Sequence, residues 1–190
     1  KEPLDWDITT SATPKEVMEI FADELVIPTG IEHGTVTLIA KGTCGDNLTW
    51  TLNEDYELVI DGTGDMDDYD IYSTPFYKLR IDKVVIKNGV TNIGSGLFAQ
   101  KDLLSVTIPN SVTKIGDYAF YICHALSSVT IPDGVTGLGN VAFLGCSSLT
   151  SIVIPSSVTS IGNSAFADCR NLIEIIIDED NVSYKSEDGV

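Results

Sequence analysis

The stretch Leu126-Ser-Ser-Val129-Thr-Ile131-Pro-Asp-Gly-Val135 returns, with every position number raised by 23, as Leu149-Thr-Ser-Ile152-Val-Ile154-Pro-Ser-Ser-Val158. Other columns share this period: an Ile-Pro pair at 108–109, 131–132 and 154–155, an Ala-Phe pair at 119–120, 142–143 and 165–166, and the cysteines Cys123, Cys146 and Cys169. Because unrelated columns repeat together, each unit is one structural turn that buries its apolar side against its neighbours. The sequence therefore predicts a solenoid, whose long regular surface is more typical of binding than of catalysis.

The repeat continues on both sides of this stretch. One unit earlier it begins at Leu103, and one unit later Leu172 opens another copy. Upstream, residues 81–90 fit the pattern with a step that is shorter by one residue, and the missing residue falls between Phe98 and Leu103. The sequence thus predicts four full repeats and the opening of a fifth.

Each unit carries an alternating β-branched run. Val106 and Ile108 alternate with Ser105 and Thr107, which predicts a strand with one buried face. Successive strands run in the same direction and predict a parallel ladder with rungs about 4.8 Å apart. The proline that follows lacks an N–H and tends to end the pairing. A short helical or irregular return then places an aromatic column in the core, formed by Phe98, Phe120, Phe143 and Phe166.

The cysteine column Cys123, Cys146 and Cys169 has three interpretations. Stacked Cα atoms would be about 4.8 Å apart, but the Cβ atoms would keep that spacing, beyond the roughly 3.8 Å mean of disulfides. Reduced core thiols are therefore favoured over disulfides. A metal site is the least favoured, since one ligand per rung makes no convergent cluster. Cys44 lies outside the repeats and has no evident partner.

Composition narrows the range of partners. The 190 residues suit one domain, and 43% hydrophobic content suffices for a continuous core. A net charge of −17 argues against nucleic acid and against an anionic membrane surface. No apolar run reaches the length of about 18 residues that a spanning helix needs, so we expect no membrane span. The chain starts at Lys1 without a charged-then-apolar leader, and we expect any secretion signal to have been removed or left out.

Residues 1 to about 40 do not repeat. Thr13-Pro14-Lys15-Glu16 resembles a capping box and predicts one amphipathic helix over 14–25, which would cap the first rung or serve as a linker. Strands are predicted at 35–40, 48–52 and 56–60, the last pairing onto 84–86. We therefore divide the chain into a helix and strand segment (1–40), a β-rich N-terminal cap (41–80) and repeats with a period of about 23 residues (81–190).

Specific motifs give this chain a family resemblance. Gly42-Thr-Cys-Gly-Asp-Asn-Leu-Thr-Trp50 and the unit Ile-Pro-x-Ser-Val-Thr-x-Ile-Gly-x-x-Ala-Phe-x-x-Cys resemble the cap and the repeat of BspA-like leucine-rich-repeat proteins. The resemblance covers residues 41–190 and implies a leucine-rich-repeat solenoid. It also implies a secreted or surface-anchored protein, mostly of host-associated bacteria, that adheres to host matrix proteins or to other cells. One departure is Ser111, Gly134 and Ser157, where ordinary leucine-rich repeats carry Asn or Cys.

No catalytic residue, metal ligand or cofactor is expected. His124 follows Cys123, but its column elsewhere holds Ser147 and Arg170, which indicates a variable exposed position rather than a Cys-His dyad. The stretch Asp61 to Asp70 holds five aspartates without the glycine and glutamate of an EF-hand loop. An acidic surface turn is favoured there, and an adventitious calcium site is the alternative.

The outward side of the ladder is the candidate binding face. Its members are Val85, Thr107, Thr130, Val153 and Ile176 in a central column, with Ser105, Ser128 and Ser151 beside them. We expect this strip to bind a host or bacterial surface protein or a glycan, which would make the protein a non-catalytic adhesion module. Two alternatives remain open. Serine and threonine could simply be soluble strand formers, and the solenoid could be a structural spacer that presents another domain.

The C-terminal segment opens a turn that it does not complete. Ile175 to Ile177 begin a fifth unit, and the polar residues 178–190 carry no Ile-Gly or Ala-Phe pair. An open solenoid edge needs a polar cap. We therefore expect a fragment of a longer repeat protein, with its last rung imperfectly covered by this tail or by a neighbouring molecule.

Overall fold

The computed structural model describes residues 38–185, so the helix predicted over 14–25 and the start of the strand predicted over 35–40 lie outside the described residues. The strands within this range are β1 (Leu38–Gly45), β2 (Leu48–Asn53), β3 (Glu57–Gly62), β4 (Gly64–Asp65), β5 (Lys83–Ile86), β6 (Val90–Ile93), β7 (Ser105–Thr107), β8 (Lys114–Ile115), β9 (Gly137–Leu138), β10 (Ser151–Ile154), β11 (Ser160–Ile161) and β12 (Glu174–Ile177). No helix occurs in residues 38–185, and so none that is long and apolar enough to cross a membrane.

An antiparallel cap leads into the parallel stack. Strand β2 pairs antiparallel with both β1 and β3, and β3 pairs parallel with β5. Leu58 lies opposite Val84, which confirms the predicted pairing of the segment 56–60 onto 84–86. The Trp50 ring meets Phe76 edge-on, with 5.2 Å between ring centroids, so the cap closes directly onto the core.

Two parallel ladders run along the solenoid. The front ladder consists of β3, β5 and β7 and, after a gap, β10 and β12, while the back ladder consists of β4, β6, β8, β9 and β11. The gap falls at residues 128–131, where the alternation predicts a strand and the structure has none. The prediction of an unbroken front ladder was therefore wrong at this rung.

Proline accounts for where the front ladder weakens. After β5, the Lys87 N–H donates to the Ile60 carbonyl at 2.9 Å and adds a bond beyond the paired residues. Asp178 does the same after β12. Pro109, Pro132 and Pro155 stand at this position in the three intervening turns and have no N–H to donate. Accordingly β7 pairs over only three residues, and no pairing forms at the rung before Pro132.

From residue 83 onward, each turn of the back ladder carries a glycine at the same position. A Cβ added at Gly116, directly after β8, would lie 2.6 Å from the Ser95 backbone nitrogen of the turn before. The close approach of neighbouring turns leaves no room for a side chain here. The Ile-Gly pair of the repeat is thus explained by contact between backbones.

The returns from the back ladder to the front are irregular rather than helical. In residues 96–100, alternate N–H groups donate to carbonyls of the following turn, as from Phe98 to Ala119 at 3.0 Å and from Gln100 to Tyr121 at 2.6 Å. The next returns repeat this pattern. Some return residues adopt positive φ, including the β-branched Val141 at 59°. The returns thus form a third hydrogen-bonded line along the stack, at the cost of strained backbone.

The phenylalanine column forms the centre of the core. The Phe98, Phe120 and Phe143 rings are fully buried and stacked, with centroids 5.4 and 5.2 Å apart, and Phe166 is half-buried at the end. Phe76 extends the stack by one ring at its start, 5.7 Å from Phe98. Residues 57–82 therefore form a further turn, and the solenoid has about five turns before β12. The four full repeats predicted from the sequence are one too few.

The C-terminal tail is fixed by polar contacts. Asn181 is buried, and its Nδ2 donates to the Pro155 and Val158 carbonyls at 2.9 and 3.0 Å. Its Oδ1 accepts the N–H groups two and three residues onward. The Tyr184 hydroxyl accepts the Ile161 N–H at 2.8 Å, beside the end of the back ladder. This tail satisfies backbone groups of the last turn by hydrogen bonds.

Candidate functional site

The front face contains the eight residues proposed from the sequence: Val85, Thr107, Thr130, Val153, Ile176, Ser105, Ser128 and Ser151. All except Val85, which is half-buried, are solvent-exposed. Within the strands the register places Thr107 beside Val85 and Ile176 beside Val153. The face is therefore one strip that follows the front ladder, with Ser128 and Thr130 at its unpaired rung.

The C-terminal end of the front face differs in polarity from its middle. Val153 and Ile176 are 50% and 41% exposed, and they are neighbours across β10 and β12. Ile173, just before β12, is 84% exposed. Exposed aliphatic side chains in contact favour a partner that would remove them from water. The middle of the face offers hydroxyl groups, which both donate and accept hydrogen bonds.

The front face is almost uncharged on a strongly acidic protein. Lys83 and Glu174 lie at its two ends, in the column of Ser105 and Ser151. The chain as a whole holds 28 acidic and 11 basic residues. A neutral strip of this kind requires little desolvation of charge when it is covered.

The cysteine column lies in the core as thiols. All four cysteines of the chain are free and buried. Burial raises the pKa of the Cys146 thiol to about 12 and that of Cys123 well above its ordinary value. Each thiol donates to a carbonyl of the preceding turn: Cys123 to Phe98 at 3.3 Å, Cys146 to Phe120 at 3.3 Å and Cys169 to Phe143 at 3.2 Å. These groups are protonated at neutral pH and act as packing residues.

The acidic stretch 61–70 comprises the end of β3, all of β4 and an irregular segment, rather than a simple turn. The Asp65 carboxylate accepts the Thr91 hydroxyl at 2.6 Å. Asp68 accepts the Ser95 N–H at 2.6 Å, a hydrogen bond that lowers the pKa of the Asp68 carboxyl. Among the described residues, no group of three or more histidine, cysteine or acidic side chains could hold a metal ion. The structure thus gives the calcium alternative no ligand cluster within 38–185.

His124 is an exposed residue of a turn. Its Nδ1 lies 2.9 Å from the Gly145 carbonyl and 3.4 Å from the Ser147 hydroxyl. The neighbouring Cys123 thiol bonds instead to the Phe98 carbonyl in the core. The two side chains therefore form no dyad.

Sequence reasoning missed a buried cation beside the core. Lys101 is 7% exposed, and its Nζ donates to the Tyr77 and Leu79 carbonyls at 2.8 and 3.3 Å. Desolvation lowers the pKa of the ammonium group. Its position in the repeat could have indicated this burial. Lys101 follows Phe98 by three residues, just as the core residue Cys123 follows Phe120.

Comparison with known families settles the class of the chain. Residues 69–187 match the BspA type leucine rich repeat region in six copies. The chain belongs to the BspA-type leucine-rich-repeat family. The six copies also agree with the additional turn that the structure places before residue 83.

Solved leucine-rich-repeat proteins share the fold. A leucine-rich repeat protein from Eubacterium ventriosum is 32% identical with a TM-score of 0.65, and the match covers 80% of this chain and 48% of that one. A leucine rich cell surface protein from Faecalibacterium prausnitzii is 24% identical with a TM-score of 0.55, covering 71% and 39% of the two chains. The present chain thus spans less than half of either protein.

A shorter likeness links the chain to an enzyme. The CCA-adding enzyme of Bacillus cytotoxicus is 43% identical over 53 residues, which make up 28% of this chain and 13% of the enzyme. The likeness is confined to that segment. Leucine-rich-repeat folds are generally non-enzymatic, and function is argued from the site rather than from the fold.

Proposed function

We propose that this protein is a non-catalytic binding module of a secreted or cell-surface bacterial protein, and that its front face contacts a protein or a glycan. The family is a repeat scaffold, and one of the solved relatives is described as a cell surface protein. The acidity of the chain makes nucleic acid an unfavourable partner.

The observation that carries this proposal is an exposed and nearly uncharged strip on a protein with a net charge of −17. Hydroxyl groups along its middle would give directional contacts, and the aliphatic pair Val153 and Ile176 would give buried area. The stacked rings beneath hold the rungs at fixed spacing. A rigid surface loses little conformational entropy on binding.

Two serines of one turn provide a matched test. Ser151 begins β10 on the front ladder, Ser160 begins β11 on the back ladder, and both are exposed. Binding of the wild type, Ser151→Arg and Ser160→Arg should be measured by biolayer interferometry on immobilised host matrix proteins and on a glycan array. We expect Ser151→Arg to weaken binding about tenfold or more, and Ser160→Arg to leave it unchanged.

Equal behaviour of the two variants would contradict the proposal. If the wild type binds no member of either panel, the structural-spacer function gains support instead. A second front-face variant, Val153→Arg, tests the aliphatic end of the strip. Circular dichroism of each variant confirms that the exposed substitution leaves the fold intact.

A further inference from the structure

The surface of the solenoid has a step where the segment between the core phenylalanine and the next front strand changes in length. In the first two turns the core phenylalanine is five residues from the next leading apolar residue, and in the later turns it is six. The short intervals are Phe76 to Ile81 and Phe98 to Leu103, and the first long interval is Phe120 to Leu126. A notch of about 430 Å³ lies at this step, between residues 79–82, residues 100–102, Leu104 and Ala125 of the first long turn.

Lys101 marks the same boundary in the core. It takes the position that cysteine occupies in the long turns, and it lines the notch. Two of its three ammonium donors bond to the Tyr77 and Leu79 carbonyls. Within residues 38–185 the third donor has no partner, which leaves it available to a ligand. A buried ammonium where the column otherwise holds cysteine is costly to desolvate, and burial lowers its pKa accordingly.

A second cation in the notch is held in place. The Arg80 guanidinium binds Asp82 with two hydrogen bonds, at 2.9 Å from Nε and 2.8 Å from Nη2. The same guanidinium lies over the Tyr56 ring, 4.2 Å from its centroid. A planar group fixed on two sides is preorganised for directional hydrogen bonds.

The chemistry of the lining favours a neutral ligand with many hydroxyl groups. Arg80 and Lys101 are balanced by Asp82 and Asp102, so the notch carries no net charge. Its side chains both donate and accept hydrogen bonds, and Leu104, 53% exposed, adds an apolar wall. A sugar ring has this combination of paired hydroxyl groups and apolar C–H faces, and it brings no net charge of its own to a site that carries none.

The notch adjoins the front face. The Leu104 N–H donates to the Asp82 carbonyl at 2.7 Å, and these two residues immediately precede β7 and β5. A ligand in the notch would therefore continue onto Ser105 and Thr107, on the second rung of the face.

We infer that this notch binds one or two neutral sugar units at the end of a glycan. The inference rests on the proposed function, because it assigns a glycan to a site beside the front face. Arg80, Lys101 and Asp102 contact the sugar hydroxyl groups, and Leu104 packs against the ring. The step between short and long turns provides the space.

An array of neutral and sialylated mono- to tetrasaccharides tests this assignment with the full chain, followed by calorimetry on its strongest neutral binder. Two matched aspartate variants distinguish the loss of a contact in the notch from the loss of one negative charge on the protein. Asp102→Ala lies in the notch, and Asp133→Ala lies on an exposed turn outside it. Lys101→Cys removes the cation while restoring the residue that the column tolerates elsewhere. We expect Asp102→Ala and Lys101→Cys to weaken binding at least about tenfold, and Asp133→Ala to leave it within twofold.

Several results would overturn the inference: no neutral glycan bound by the wild type, binding of sialylated glycans alone, or equal affinities of Asp102→Ala and Asp133→Ala. Unfolding midpoints show whether Lys101→Cys remains folded. If that variant does not fold, the affinity of Asp102→Ala alone tests the inference. If Ser151→Arg impairs binding to a matrix protein while the array stays empty, the notch assignment fails and the front-face function stands.

Discussion

At the N-terminal end of the solenoid, the antiparallel strands β1 and β2 cover the first turn, and Trp50 packs against the fully buried Phe76. At the C-terminal end, the tail reaches the last turn through Asn181 and Tyr184, and Phe166 stays half-buried. One end is closed by apolar packing and the other by hydrogen bonds. Since apolar burial is the larger source of stability, the stack should weaken toward its C-terminal end.

The largest expected effect compares two phenylalanines of one column. Phe143→Ala should lower the free energy of unfolding by about 3–5 kcal/mol, because its ring is fully buried between two others. Phe166→Ala removes a half-buried ring with one stacked neighbour and should cost about 1–2 kcal/mol. Urea denaturation measures both. Equal costs would show that the C-terminal end is packed as tightly as the middle.

The polar closure can be removed with one substitution. Asn181→Ala leaves the Pro155 and Val158 carbonyls and two tail N–H groups without their partner, and should cost about 1–3 kcal/mol. Asn171→Ala is the matched control, since Asn171 is exposed. Thermal unfolding of the two variants decides the point. A tail that contributes nothing would give them the same midpoint.

The buried thiols make the stability depend on alkaline pH. Burial raises the pKa of the Cys146 thiol from 9.0 to about 12, so the unfolded chain loses this proton first as pH rises. The stabilisation is complete below about pH 8 and is lost from pH 9 toward pH 12, by up to about 1.4 kcal/mol per pH unit for one thiol. Comparing the wild type with Cys146→Ala between pH 8 and 10.5 isolates this contribution. A constant difference across that range would contradict it.

The repeat was predictable because its columns record contacts that every turn makes. The phenylalanine column arises because the rings of successive turns stack on one another. The Ile-Gly pair arises because the backbones of neighbouring turns approach closely at the glycine. Both features appear at the expected turns. The pairing of 56–60 onto 84–86 was also predictable from β-branched alternation. Each of these features follows from a local pattern that recurs.

Features that occur once were harder to predict. The turn at residues 57–82 lacks an Ala-Phe pair, and its acidic stretch lengthens the step from Ile60 to Ile86, so Phe76 was not recognised as a core residue. The gap at 128–131 depends on a missing N–H in a neighbouring position rather than on the strand itself. The notch arises from a difference in length between turns, which becomes a surface only in three dimensions.

The smallest expected effect concerns the strained returns of the N-terminal half. Gln100 is exposed with φ at 59°, a conformation that glycine adopts more easily. Gln100→Gly should therefore raise the free energy of unfolding by about 0.5–1 kcal/mol, whereas Gln100→Ala should not. Denaturation midpoints of the two variants test this directly. A destabilised glycine variant would show that the return is not strained.

Hydrogen–deuterium exchange of the native protein tests the unequal closure of the two ends most directly. The account predicts slow exchange for amides of β2, β3 and the turns up to residue 145. Exchange should become faster through β11 and β12, where the polar tail closes the stack. Protection of β11 and β12 equal to that of the middle turns, or faster exchange in β2 and β3 than in β12, would contradict the account.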